Sequence, residues 1–235
     1  STPQTGAPGW RHIFSSWSDG GAISHVINVT APVTITANFW SQVQLTVNSV
    51  NGGVTGAGWY DQGAVATVAV TTPQAGPTGW QYRFTDWSGD VTSTALTTTV
   101  TMDAPKSVNA NWQTQVLLTV QSPYGGVSGG GWYDLGNSVT ITATGPQPGP
   151  TGVRYTFAAW TGDIFSTSAT ESVAMNEPRT VSATWQTWYY LTVNAAHGNV
   201  TASSWYPAGA VVTVRVQATE VVEAGTTWQF TGWSD

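Results

Sequence analysis

The sequence predicts an all-β fold, a tandem array of small antiparallel β-sheet domains of about 73 residues each. Three observations predict it. The chain repeats itself at a fixed period, its apolar residues alternate with period two, and no stretch shows the 3.6-residue period of an amphipathic helix. VQLTVNSVNGGVTGAGWYDQG begins at Val43, VLLTVQSPYGGVSGGGWYDLG at Val116 and YYLTVNAAHGNVTASSWYPAG at Tyr189, each 73 residues after the last. The same spacing holds inside the unit, as in Trp59, Trp132 and Trp205, or Trp87, Trp160 and Trp233. Two full repeats therefore run 43–115 and 116–188, and residues 189–235 supply the first part of a third. Residues 1–42 supply the second part of another, because Trp10 to Trp17 matches Trp80 to Trp87, and Ala31 to Phe39 matches Ala104 to Trp112.

Each repeat reads as five strands. The first alternates Val43, Leu45 and Val47 against Gln44, Thr46 and Asn48, with Val116, Leu118, Val120 and Tyr189, Leu191, Val193 as counterparts. A Gly-rich turn and a Trp-Tyr pair follow. The second strand points Ala66, Val68 and Val70 inward, then Val139, Ile141 and Ala143, then Val212, Val214 and Val216. After a Pro/Gly loop the third carries Trp80, Tyr82 and Phe84, or Val153, Tyr155 and Phe157. The fourth offers Leu96, Thr98, Val100 and Met102, and the fifth Val108, Ala110 and Trp112. One apolar face per strand is what a half-buried sheet requires, and the β-branched content suits it. Phe84 and Trp87 break the parity, as do Phe14/Trp17, Phe157/Trp160 and Phe230/Trp233. A bulge or strand end there would return the Trp to the core. The recurring positions place most of the 14 Trp in that core. The fifth strand runs through Trp112-Gln-Thr-Gln into Val116, so short joints predict a semi-rigid rod. Its advance would be roughly 30 Å per repeat, from the size of so small a unit.

Composition narrows the function. Only 8% of residues are charged, with 6 Lys plus Arg, 12 Asp plus Glu and a net charge of −6. Six scattered cations cannot follow a phosphate backbone, so nucleic-acid binding is excluded as a class. No apolar run approaches membrane-spanning length, so no membrane insertion is expected in this segment. The absence of Cys removes disulfides, thiol catalysis and thiolate zinc sites. Aromatics at 12% argue against disorder. A hydroxyl and amide surface fits an extracellular setting. No signal peptide is visible, and Ser1 opens a polar segment.

The blocks LTV, GxGWYDxG, FTxWSGD and MDxPKxVxAxW, read from Leu45 to Trp112, resemble the divergent internalin-type B-repeat, a bacterial and archaeal cell-surface module. The second repeat drifts to FAAWTGD and MNEPRTVSATW, and the third has Pro207 where Asp61 and Asp134 stand. The resemblance implies a small β-grasp-like or sandwich-like sheet and a place in extracellular stalk or adhesin regions. The sequence carries no sign of the family's occasional helix.

No catalytic constellation or cofactor is predicted. Of the three His, His12 takes the inward slot of Tyr82 and Tyr155, and His197 sits at a variable turn tip opposite Asn51 and Tyr124; His25 matches no motif. Gly56-Ala-Gly58 is no dinucleotide loop, because the third Gly is missing and a strand follows. Asp86 and Asp90 are weak candidates to share a Ca²⁺ ion. The plainer reading has Asp61, Asp90 and Asp163 accept turn N–H groups. Trp40 and Trp188 lie at the joints, where the first full repeat has Gln113 and Gln115. They are candidates for glycan stacking, against the alternative of packing between repeats. Asn28-Val-Thr30 and Asn199-Val-Thr201 fit the N-glycosylation sequon. Lys106 is the sole Lys, which disfavours isopeptide cross-links.

The expected function is a structural, non-enzymatic surface segment, a rod in a filament, stalk or surface layer; the alternative is a glycan-binding adhesin segment. The expected partners are adjacent copies of the chain, head-to-tail, and surface glycans. The two partial repeats read either as an excerpt of a longer chain or as ends completed by strand exchange between copies.

Overall fold

Apolar alternation does build sheets, and they stack in two layers per repeat. The computed structural model describes residues 3–216, 219–223 and 226–234; Ser1 and Asp235, the ends assigned to the partial repeats, lie outside them. The chain divides into two units, Ser1–Gln115 and Val116–Asp235.

The first unit holds β1 (Gln4–Thr5), β2 (Trp10–Trp17), β3 (Ala37–Ser49), β4 (Val54–Thr55), β5 (Gly58–Asp61), β6 (Val65–Val70), β7 (Gln74–Ala75), β8 (Trp80–Gly89), β9 (Thr97–Thr101) and the start of β10 (Lys106–Gln121). One layer orders β1-β2-β3-β10, with β5 added to β3, β8 to β10 and β7 to β8. The other is the three-stranded sheet β4-β6-β9. Between them lie Val43, Leu45, Ala66, Val68, Phe84, Trp87, Val100, Met102 and Val108, all buried. These are the inward sets of the five predicted strands. The turn before β5 presses on β6: a Cβ on Gly56 would stand 2.4 Å from the Thr67 carbonyl oxygen, and φ there is +106°. Only Gly fits both conditions.

The second unit contains the rest of β10, then β11 (Val127–Ser128), β12 (Gly131–Asp134), β13 (Ser138–Ala143), β14 (Gln147–Pro148), β15 (Val153–Gly162), β16 (Thr170–Ala174), β17 (Arg179–Leu191), β18 (Ser204–Pro207), β19 (Thr219–Glu223) and β20 (Thr226–Gln229). It repeats the plan, with β10-β17-β15-β14 in one layer, β12 on β10, β18 on β17, and β11-β13-β16 in the other. β19 and β20 form a separate hairpin. No helix occurs among the described residues.

The parity break is a bulge. The register slips between Phe14 and Ser16 where β2 pairs with β3, and between Phe157 and Ala159 where β15 pairs with β17. One extra residue returns Trp160 to the face of Phe157.

Four features correct the sequence reading. The repeat is not wholly antiparallel: β3 and β10 pair in parallel from Leu45↔Lys106 to Ser49↔Ala110, and β10 pairs in parallel with β17. The last strand of one repeat continues as the first strand of the next, so first and last strands run the same way, and the intervening strands supply the long crossover that parallel pairing needs. Second, most Trp are not core. Trp87 and Trp160 are fully buried, whereas Trp40, Trp132, Trp228 and Trp233 are exposed and the others described are half-buried. Register explains Trp59: it lies opposite the outward Gln44, and Tyr60 lies opposite the buried Val43. Third, Leu96 precedes β9 and is half exposed; its carbonyl accepts the Val70 N–H instead. Fourth, residues 212–216 form no strand beyond a bridge from Val216 to Val200, and Tyr189 is 53% exposed. Without a second layer from 212–216, Tyr189 stays half exposed.

Candidate functional site

The joints between repeats gather the side chains with recognisable chemistry. In the first unit β3 spans one joint. β2 pairs with Ala37–Val43 and β5 with Gln42–Leu45, so Val43 lies between Trp10 and Tyr60. Because β5 holds one edge of β3, β2 and β10 share the other. They meet end to end: the Gln44 N–H donates to the Gly9 carbonyl (2.9 Å), and a Cβ on Gly9 would stand 2.7 Å from Pro105.

The outward face at this joint is a polar and aromatic cluster. The Arg11 guanidinium lies over the Trp59 ring, 4.6 Å from its centroid. Arg11 Nε donates to Gln42 Oε1 (2.8 Å), and Gln42 Nε2 donates to Asp61 Oδ1 (2.8 Å). Trp40, opposite Ile13, is 61% exposed.

The joint on β17 uses the same positions with different residues. Trp188 lies between Arg154 and Pro207 in the register, where Gln42 lies between Arg11 and Asp61. The Arg154 guanidinium stands 4.5 Å from the Trp205 centroid and 5.3 Å from that of Trp188. Trp188 Nε1 donates to Thr156 Oγ1 (2.7 Å), and Trp188 is half-buried. The substitutions go together: a Trp in place of the bridging amide has no use for the carboxylate, and Pro207 replaces it. Cation–π attraction then holds the guanidinium. Arg11 and Arg154 carry no motif; only their shared place in the repeat marks them.

The predicted cation pair does not share partners. Asp86 accepts from Asn111 Nδ2 (2.7 Å) and Thr85 Oγ1 (2.8 Å), which hold its carboxyl below the usual value. Asp90 accepts from the Ser107 N–H (2.6 Å), and Asp163 accepts from that of Thr180, so both tie a turn to a strand. Among the described residues no group of three or more His, Asp or Glu gathers as a metal site. His12 is half-buried beside Ser41 Oγ (3.3 Å). His25 pairs with Asp19 (2.8 Å). Asn28 and Asn199 are both exposed.

Two-layered sheets joined through common strands define a tandem β-repeat protein. The chain belongs to the divergent InlB B-repeat domain family, whose sequence profile matches residues 43–116 and 116–187, more than half of its length. This is a family of cell-surface repeat domains. Searches of curated proteins and of solved structures gave no match.

Proposed function

We propose that the chain is a structural, non-enzymatic segment of an extracellular stalk or filament, in which successive repeats form a semi-rigid rod. One observation carries the reading. β3 runs unbroken from the last strand of residues 1–42 into the first strand of the next repeat, and β2, β5 and β10 all pair with it. A strand hydrogen-bonded in both repeats resists bending at the joint far better than a free linker. The family supports a cell-surface setting, and adjacent copies are the partners such a rod would take. Small-angle scattering tests it. A rod of about 95 Å, at roughly 30 Å per repeat, has a radius of gyration near 27 Å, against about 18 Å for a compact chain of this length. The proposal expects the larger value, and the smaller one contradicts it.

A second reading, glycan contact through Trp40, is favoured by the exposure of that ring. Quenching of Trp fluorescence by an oligosaccharide, lost in Trp40→Ala, is its expected signature.

A further inference from the structure

The turn after the first strand of each repeat addresses an aromatic ring on the third. In the second repeat Tyr124 stacks face to face on Tyr155, with centroids 3.6 Å apart and planes 6° apart. In the third segment His197 stacks on Trp228 at 4.0 Å and 5°. The first full repeat places Asn51 at this turn position and Tyr82 below it. Asn51 cannot cover the ring, and a cleft of about 420 Å³ opens there, lined by Tyr82, Trp112, Asn48, Asn51, Asn109 and Asn111 among others. That volume falls in the range of small-molecule sites, about 300–1,000 Å³.

The cleft is built rather than accidental. Ser49 Oγ donates to the Gly52 carbonyl (2.7 Å) and accepts from Trp112 Nε1 (3.1 Å). Ser122 makes the same two bonds, to the Gly125 carbonyl (2.7 Å) and from Trp185 Nε1 (3.1 Å). Turn and wall are thus pinned alike in both repeats, and the main difference over the ring is Asn51 against Tyr124.

The lining defines the ligand class. None of the lining side chains is charged. Asn48 Nδ2 donates to Asn109 Oδ1 (3.0 Å) and Ser107 Oγ (3.2 Å), and Asn111 Nδ2 donates to Asp86 and Ser88. Those amides lie on the outer face of β3 and β10, opposite Tyr82 and Trp112; on the face of the ring the polar side chains of the cleft include Asn51 and Thr114. An aromatic floor with an uncharged amide and a hydroxyl beside it suits a ring with a flat C–H face and a rim of hydroxyls. We propose that this cleft binds one ring of an uncharged saccharide, stacked on Tyr82 as Tyr124 stacks on Tyr155. The second repeat, its cleft filled by its own Tyr124, cannot bind in the same way. This inference goes beyond the stalk reading and does not involve Trp40.

Isothermal titration of the whole chain tests it, with cellohexaose, maltohexaose, laminarihexaose, mannohexaose and N-acetylchitohexaose as probes. The expected result is that one or more binds at a single site per chain. Asn51→Tyr, which copies the second repeat, weakens that binding about tenfold or more, the loss of roughly one hydrogen-bonded stack. Tyr124→Asn raises the stoichiometry from one to two. Both variants stay folded, because each residue already occurs at that position of this chain, and Tyr124→Asn lowers the thermal midpoint only by the loss of its stack. Failure of all five probes at millimolar concentration overturns the proposal, as does binding that survives Asn51→Tyr or is lost in Trp40→Ala alone. Binding of N-acetyl-tyrosinamide with no sugar bound overturns it too, by assigning the cleft to an aromatic side chain.

Discussion

Phe84 and Trp87 are three residues apart on one strand, yet both rings are buried on the same face, 5.3 Å between centroids. Regular alternation would send one of them into solvent. The pair recurs as Phe157 and Trp160 at 5.2 Å, across a register slip seen in the pairing of β15 with β17. The bulge therefore lets a Cys-free repeat bury its largest side chain.

Trp87→Ala should cost about 3–5 kcal/mol, because the cavity it leaves is lined by strands of both layers and cannot collapse. Urea denaturation measures this, and an unshifted curve would remove Trp87 from the core account.

The two buried Trp differ in one bond. Trp87 Nε1 donates to the Ala95 carbonyl (3.1 Å), and Trp160 Nε1 has no protein partner. Replacement by Phe removes a satisfied donor in one case and an unsatisfied one in the other. Trp160→Phe should therefore cost less than Trp87→Phe by about 1 kcal/mol. Equal losses would contradict the assignment.

At the β17 joint, Trp188→Gln removes the farther of the two rings beside Arg154 and should cost about 0.5–1 kcal/mol. Adding Pro207→Asp recreates the trio found at Arg11, Gln42 and Asp61. The double variant should be more stable than the sum of the single changes by about 0.5 kcal/mol or more. Strict additivity in the cycle would show that the two positions are not coupled.

The Asp19–His25 pair gives a pH dependence to the loop after β2. The Asp19 carboxylate, and after it the Ala22 carbonyl, holds the His25 imidazole above its usual value. The Gly21 N–H, and after it His25, holds Asp19 below the usual value. The His25 contribution is complete below the ordinary imidazole pKa and is lost as pH rises through the raised one. The Asp19 contribution is complete above the ordinary carboxylate pKa and is lost as pH falls through the lowered one. The pair is thus fully formed only in the mildly acidic window between. In an NMR titration Asp19→Asn should bring the His25 midpoint down, and an unmoved midpoint would deny the pair.

Much of this was legible in the residues. Alternation at Val43, Leu45, Ala66, Val68, Val100 and Val108 is enough to mark the buried face of each strand, though not to sort the strands into two layers, and Phe84 with Trp87 announces the bulge. Alternation says nothing of direction, so the parallel pairing of β3 with β10 stays hidden until the shared strand is seen. It also cannot choose between adjacent aromatics: Trp59 and Tyr60 are both large, and only the register with Val43 turns Tyr60 inward. The joint cluster was legible by position at Trp40 and Trp188. The arginines over Trp59 and Trp205 were not, since they come from strands distant in sequence. The turn tip at Asn51, Tyr124 and His197 is visibly variable, but nothing local shows that it reaches a ring on another strand.

β3 belongs to two repeats at once. Native-state hydrogen exchange across Ala37–Ser49 measures whether it opens as one unit. A shared strand predicts that the hydrogen-bonded amides on both sides of the joint at Gln42/Val43 open with a single free energy. Two separate values, one before Val43 and one after, would mean that the repeats unfold independently and would contradict the account.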